Sequence, residues 1–164
     1  MGTLFPTPSQ TVGPYWAIGL PWAALGVLDP AGIAISGTLY DGAGAPVNDG
    51  LLELWDASSG AFGACGTDAA GGFSFRAARP GVIGGQAPHW ALGVFARGVL
   101  CRLVTRIYLP DEAANATDPL LCGIADPGAR STMIAARTGT RAQDGLRFDV
   151  HLQGQSETAF LAWE

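Results

Sequence analysis

With 164 residues, 48% of them hydrophobic and only 14% charged, the chain is long enough to bury a real core and too apolar for disorder. Its 24 glycines and 11 prolines exclude a helical bundle. The net charge of −5, with arginine as the only positive residue type and no basic run with interleaved aromatics, argues against a nucleic-acid surface.

Residues 1–28 carry no charged side chain; the first is Asp29. Pro6, Pro8, Pro14 and Pro21 interrupt this stretch and no basic residue leads it. A signal peptide needs a basic start and an unbroken apolar run, and a membrane helix needs about 20 apolar residues, so neither is expected. Cys65, Cys101 and Cys122 are odd in number and lack CxxC spacing. They read as small core-filling thiols of a protein in a reducing compartment, and the predicted location is cytoplasmic. From Thr7 to Trp16 the chain has neither helical nor strand period, yet it is uncharged and aromatic. Such a segment is expected to lie buried, either against its own body or against a partner.

Period-two alternation then takes over. Ile33, Ile35, Gly37 and Leu39 fall on one face of a strand and Ala34, Ser36, Thr38 and Tyr40 on the other, before a turn at Asp41-Gly42-Ala43-Gly44. Leu51 to Trp55 is a short strand. Phe73 and Phe75 alternate with Ser74 and Arg76 after the turn Ala70-Gly71-Gly72. Trp90 to Ala96 and Arg102 to Tyr108 read as a strand pair joined around Arg97-Gly98. One short helix is predicted near Asp111 to Asn115, and Ser131 to Arg137 fits strand or helix. Leu146, Phe148, Val150 and Leu152 alternate with Arg147, Asp149, His151 and Gln153. The predicted fold is all-β: a sandwich of short mixed or antiparallel strands with one short helix, preceded by an irregular N-terminal arm. The expected division is an arm over 1–30 and a sandwich over 31–164.

The chemistry inventory is sparse. His151 sits on the polar face of its strand and reads as a surface histidine. His89 opens a strand, and two histidines at i and i+2 of a strand could share a metal, but position i+2 is Ala91. There is no nucleophile elbow, phosphate loop or dinucleotide fingerprint, and no carboxylate pair spaced for acid–base work. By its own residues the chain is not expected to be a self-contained catalyst.

An ordered set of motifs nevertheless resembles the intradiol ring-cleaving dioxygenases, and within them the alpha-type subunit. The set runs from Thr7-Pro8-Ser9-Gln10-Thr11-Val12-Gly13-Pro14-Tyr15 through Leu39-Tyr40-Asp41-Gly42, Leu52-Glu53-Leu54-Trp55-Asp56 and Arg79-Pro80-Gly81-Val82. It continues with Ala87-Pro88-His89, Phe95-Ala96-Arg97-Gly98, Thr105-Arg106-Ile107-Tyr108, Asp111-Glu112 and Arg147-Phe148-Asp149-Val150. The resemblance implies a partner, a homologous catalytic beta subunit that holds a non-haem ferric ion with two tyrosinates and two histidines. It also implies the substrate, protocatechuate or a related carboxylated catechol, cleaved to 3-carboxy-cis,cis-muconate. In that pattern one tyrosine follows a Pro-Gly pair and His-x-His follows on the next strand. Here Pro80-Gly81 is followed by Val82-Ile83, then by His89-Trp90-Ala91, and no tyrosine lies between Trp55 and Thr67. At most one ligand remains, so no metal and no cofactor is expected in this chain. The resemblance assigns it instead a substrate-pocket wall at the alpha–beta interface, formed by Thr11, Gly13, Pro14, Tyr15 and Arg97. Otherwise Tyr15 is a core aromatic and Arg97 an exposed turn arginine. The stretch from Ser58 to Gly66 is shorter than in such relatives. Gly37 to Asp41, Ala45 to Val47, Leu52 to Leu54 and Thr67 to Phe75 also resemble transthyretin-like and carboxypeptidase-regulatory-like modules, which implies the alternative of a non-enzymatic interaction domain. Those modules lack the arm and the Phe95-to-Tyr108 block.

Overall fold

The computed structural model describes residues 7–11, 13, 19, 25–139 and 145–162. Among these the strands form two sheets. One holds β4 (Gly72–Ala77), β1 (Ile33–Tyr40), β8 (Leu146–Arg147) and β7 (Ala136–Arg137) in that order, with β9 (Val150–His151) also paired to β1. The other runs β3 (Ala61–Gly66), β2 (Leu51–Asp56), β5 (His89–Phe95) and β6 (Leu103–Tyr108), antiparallel throughout. β1 pairs antiparallel with β4 but parallel with β8 and β9, so the first sheet is mixed.

The alternation in β1 dictates what faces inward. Ile35 and Leu39 are wholly buried, while Ser36 and Thr38 are half-buried on the opposite face. They meet Phe73, Phe75, Leu146, Phe148 and Val150 in their own sheet and Leu52, Leu54, Trp90, Leu92, Val94 and Ile107 in the other. Each fully buried large apolar side chain stabilises the fold by roughly 1.5–3 kcal/mol relative to exposure. Gly37 belongs to the same inward face because nothing larger fits: a Cβ there would collide with the Phe148 carbonyl oxygen and the Phe73 ring.

The expected C-terminal strand is broken in two, although its faces alternate as predicted. The Asp149 carboxylate accepts the Thr38 N–H at 2.8 Å, a donor that a continuous ladder would otherwise use. Arg147 holds that carboxylate at 2.6 Å and also donates to Thr38 Oγ1.

Three short helical turns stand where the sequence suggests one: a 3-10 turn (Ala113–Thr117), α1 (Pro119–Gly123) and α2 (Pro127–Ser131). Asp118 and Asp126 are their own helices' N-caps, each with proline at the first helical position. Ser131 to Arg137, left open between helix and strand, is divided: Ser131 ends α2 and Ala136–Arg137 is β7. The helical turns cover a second cluster of Ala87, Tyr108, Leu121 and Met133. Only Cys65 is a core thiol, with burial pushing it up to about 11; Cys101 and Cys122 are exposed. Among the described residues no helix is long and apolar enough to cross a membrane.

Candidate functional site

Two places on the second sheet gather the residues singled out in the sequence, one at each end of β5. At its C-terminal end Ala96 to Val99 forms a turn closed by the Val99 N–H on the Ala96 carbonyl (3.1 Å). Gly98 has φ 86°, a conformation that glycine takes without a steric cost. The arm docks on this turn. Thr11 Oγ1 donates to the Ala96 carbonyl at 3.3 Å and accepts the Gly98 N–H at 3.1 Å and the Gly13 N–H at 3.4 Å. Thr11, Gly13 and Arg97 are thus brought together from positions far apart in sequence. Arg97 is 67% exposed and its Nε meets the Asp49 carboxylate at 3.1 Å. Pro14 and Tyr15 lie outside the described residues. Residues 7–11 are exposed, so this part of the arm is not buried against its own body.

At the other end of β5 is a cleft of about 520 Å³. Its floor is the outer face of the sheet, set by register: His89 pairs with Tyr108 and Ala91 with both Trp55 and Arg106. Ile83, His89 and Ala91 all line it, with Trp55 and Phe62 on the side of β2 and β3. The positions where the family resemblance would put metal ligands therefore do converge, but only His89 carries a ligating group among them. Its Nδ1 is 2.7 Å from the Ala87 carbonyl, which makes Nδ1–H the donor and leaves Nε2 as an acceptor. Burial, and then the Arg106 charge, hold this imidazole below its ordinary value, so it is neutral at pH 7. The remaining charges do not favour a cation, since Arg102 and Arg106 both enter the cleft and its one carboxylate among the described residues, Glu53, is paired with Arg102. A ferric ion does not fit this donor set. Among the described residues no group of three or more His, Cys, Asp or Glu side chains is placed to hold a metal.

Behind the cleft a buried relay orders Arg106. Its Nη1 donates to Tyr108 Oη at 2.9 Å, and Tyr108 Oη donates to Asp118 Oδ1 at 3.1 Å. Burial pushes the Tyr108 phenol up to about 12, so it stays protonated and is no tyrosinate. Burial alone would raise Asp118, but the Leu121 and Ala87 N–H groups, the Tyr108 hydroxyl and the Leu120 N–H outweigh it and hold the carboxyl low. Arg102, in turn, lies flat across Gly93, where any Cβ would strike its guanidinium, and it reaches Glu53 at 2.9 Å. Sequence reading passed over Arg102, Arg106 and Asp118; the two-residue spacing of Arg106 and Tyr108 on one strand face was the available signal. His151, expected at the surface, is half-buried and stacked on Tyr40 with ring centroids 4.8 Å apart.

No protein-family model matches the chain. It is, however, 37% identical over 191 residues to the protocatechuate 3,4-dioxygenase alpha chain of Pseudomonas putida, a match covering 94% of this chain and 95% of that one. The chain belongs to the protocatechuate 3,4-dioxygenase alpha-chain family. The matched span exceeds the 164 residues of this chain, so the relative carries extra residues inside the aligned region. The protocatechuate 3,4-dioxygenase beta chain of Burkholderia cepacia is also similar, at 27% identity over 77% of this chain and 66% of that one. Among solved structures, the dioxygenase domain of a dioxygenase carbohydrate-binding protein fusion from Streptomyces sp. SirexAA-E superposes with a TM-score of 0.65. It is 26% identical, and the match covers 92% of this chain and 99% of that one. Membership in the alpha-chain family, on a match covering 94% of this chain, decides between the two resemblances, since the interaction-module alternative accounts for neither the arm nor the Phe95-to-Tyr108 block.

Proposed function

We propose that this chain is the alpha subunit of a protocatechuate 3,4-dioxygenase. It holds no iron, joins a homologous beta subunit that carries the non-haem ferric ion, and walls the pocket at their interface. There protocatechuate, or a closely related carboxylated catechol, is opened between its hydroxyls to 3-carboxy-cis,cis-muconate. Residues 1–30 are the partner-facing arm and 31–164 the sandwich, and the complex works in the cytoplasm.

The observation that carries this reading is the clasp of Thr11 on the Ala96–Gly98 turn, which sets the arm beside the exposed Arg97 cation. Arm and turn then form one surface, and the resemblance assigns Pro14 and Tyr15 to the same wall. A Cβ on Gly13 would meet nothing within 4 Å, although its φ is 70°. That leaves room for close backbone approach by another molecule. A cation there favours an anionic catechol carboxylate through its field and through charge-assisted hydrogen bonds. The chain's share in catalysis is orientation and water exclusion, and the redox chemistry belongs to the partner.

Co-expression with the beta chain of the same source organism tests this. The tagged alpha chain should bring down the beta chain, and the complex should consume dioxygen with protocatechuate while the alpha chain alone does not. A chain that never retains its beta chain, or a beta chain equally active without it, contradicts the proposal.

A further inference from the structure

Strand register sets Asp49 and Arg97 against each other. β2 and β5 pair antiparallel with Leu51 opposite Phe95, and the same register carried two residues further puts Asp49 opposite Arg97. The contact is made there, with Arg97 Nε 3.1 Å from Asp49 Oδ2. The two partners differ in freedom. The Asp49 side chain is 16% exposed, and its turn is pinned on both sides. Before it the Val47 N–H donates to the Leu39 carbonyl; after it the Gly50 N–H donates to Thr67 Oγ1 and the Gly50 carbonyl accepts the Thr67 N–H, each at 2.9 Å. Arg97, by contrast, stands past the end of β5 on a long and largely exposed stem. The fixed carboxylate therefore decides where the loose guanidinium points. For stability alone the pair matters little, because an exposed ion pair contributes almost nothing to folding.

We infer that Asp49 is a positioning residue of the dioxygenase reaction, holding Arg97 by its Nε so that the guanidinium is aimed at the carboxylate of the incoming substrate. The inference rests on the pocket-wall role proposed above for Arg97. A guanidinium carries its N–H donors in one rigid plane, so a grip at Nε also fixes the direction of both Nη groups. An arginine held in advance loses less rotamer freedom when it meets an anion. A second effect of Asp49 has the opposite sign. Its negative charge lowers the positive field that an anionic substrate meets, so by field alone its removal would tighten binding. In exposed surroundings that field is screened within about 8 Å at physiological ionic strength, and the aim of the guanidinium is the larger effect.

Steady-state oxygen uptake by the co-expressed alpha–beta complex with protocatechuate tests it, iron content and subunit ratio being checked for each variant. Asp49→Ala should raise KM roughly threefold to fivefold, the population factor of an exposed ion pair, with kcat and the melting temperature nearly unchanged. Asp49→Asn, which keeps the shape of the side chain and removes its charge, should do the same and carries the test if Asp49→Ala does not assemble. In an Arg97→Ala background neither substitution should raise KM further. A KM that stays level or falls in the Asp49 variants overturns the inference, as does an undiminished rise in the Arg97→Ala background. If Arg97→Ala itself leaves KM unmoved, the pocket-wall reading fails and the inference fails with it.

Discussion

The Thr11 hydroxyl accepts a hydrogen bond from the Gly98 N–H at 3.1 Å across 87 residues of sequence, and donates to the Ala96 carbonyl of the same turn at 3.3 Å. A residue of an otherwise aperiodic, exposed segment is thereby fixed to the end of a central strand. The site's geometry follows from this clasp, because the turn it holds also carries Arg97.

Thr11→Ala removes both bonds. At a net value of about 0.5–1.5 kcal/mol each, their loss should loosen the arm without unfolding the sandwich. Limited proteolysis should cut the arm of the variant faster while the melting temperature barely moves, and KM for protocatechuate in the alpha–beta complex should rise. Thr11→Ser, which keeps the hydroxyl, should restore both.

Arg97→Ala should separate substrate use from stability. Its ion pair with Asp49 is solvent-exposed, a type worth less than about 1 kcal/mol, so thermal unfolding should be nearly unchanged. In the assembled complex kcat/KM for protocatechuate should fall by roughly tenfold, about 1.4 kcal/mol, with the iron content intact. Unchanged kinetics in a correctly assembled complex would remove Arg97 from the pocket wall.

Gly37→Ala should be among the most damaging single substitutions. The added methyl meets the Phe148 backbone oxygen and the Phe73 ring, and the backbone cannot swing aside as a flexible side chain could. Overpacking of this kind costs roughly 1–3 kcal/mol or more. Chemical denaturation should show the lowered midpoint, and Gly42→Ala, which meets only the Gln153 side chain, should be far milder.

Acid should weaken the fold in two stages. His89 titrates below its ordinary 6.5 in the folded chain, so its contribution is complete above 6.5 and declines as pH falls beneath that value. Asp118 is held below 3.8, so its contribution is complete above 3.8 and is lost as pH falls through its lower folded value. Melting temperatures measured against pH should show both declines. His89→Gln should flatten the first. Asp118→Asn should shrink the second and cost about 2 kcal/mol at neutral pH, because an amide cannot accept all the N–H groups that the carboxylate satisfies.

The sandwich was legible because its strands alternate so regularly: β1, β4 and the β5–β6 pair follow directly from which residues are apolar. β3 was not, since Ala61-Phe62-Gly63-Ala64-Cys65-Gly66 has little strand propensity of its own and is a strand because β2 pairs with it along its whole length. The two helices were missed although Asp118-Pro119 and Asp126-Pro127 each spell an N-cap followed by proline at the first helical position. The expectation of core thiols failed for Cys101 and Cys122 because cysteine follows no periodicity that separates core from surface. The expectation of no metal rested on Ala91 together with the tyrosines missing after Pro80-Gly81 and between Trp55 and Thr67, but the cleft's charge could not be read, because Arg102, Arg106 and Glu53 meet only through strand register.

The central claim is that this alpha chain contributes a surface and no metal chemistry, and the most direct test is its iron content and visible spectrum. The chain should be measured alone, and again after co-expression with its beta chain and separation from it. The account predicts a colourless, iron-free alpha chain in both preparations, with the iron and the red tyrosinate-to-iron absorption following the beta chain. An alpha chain that is red and iron-loaded on its own would contradict it.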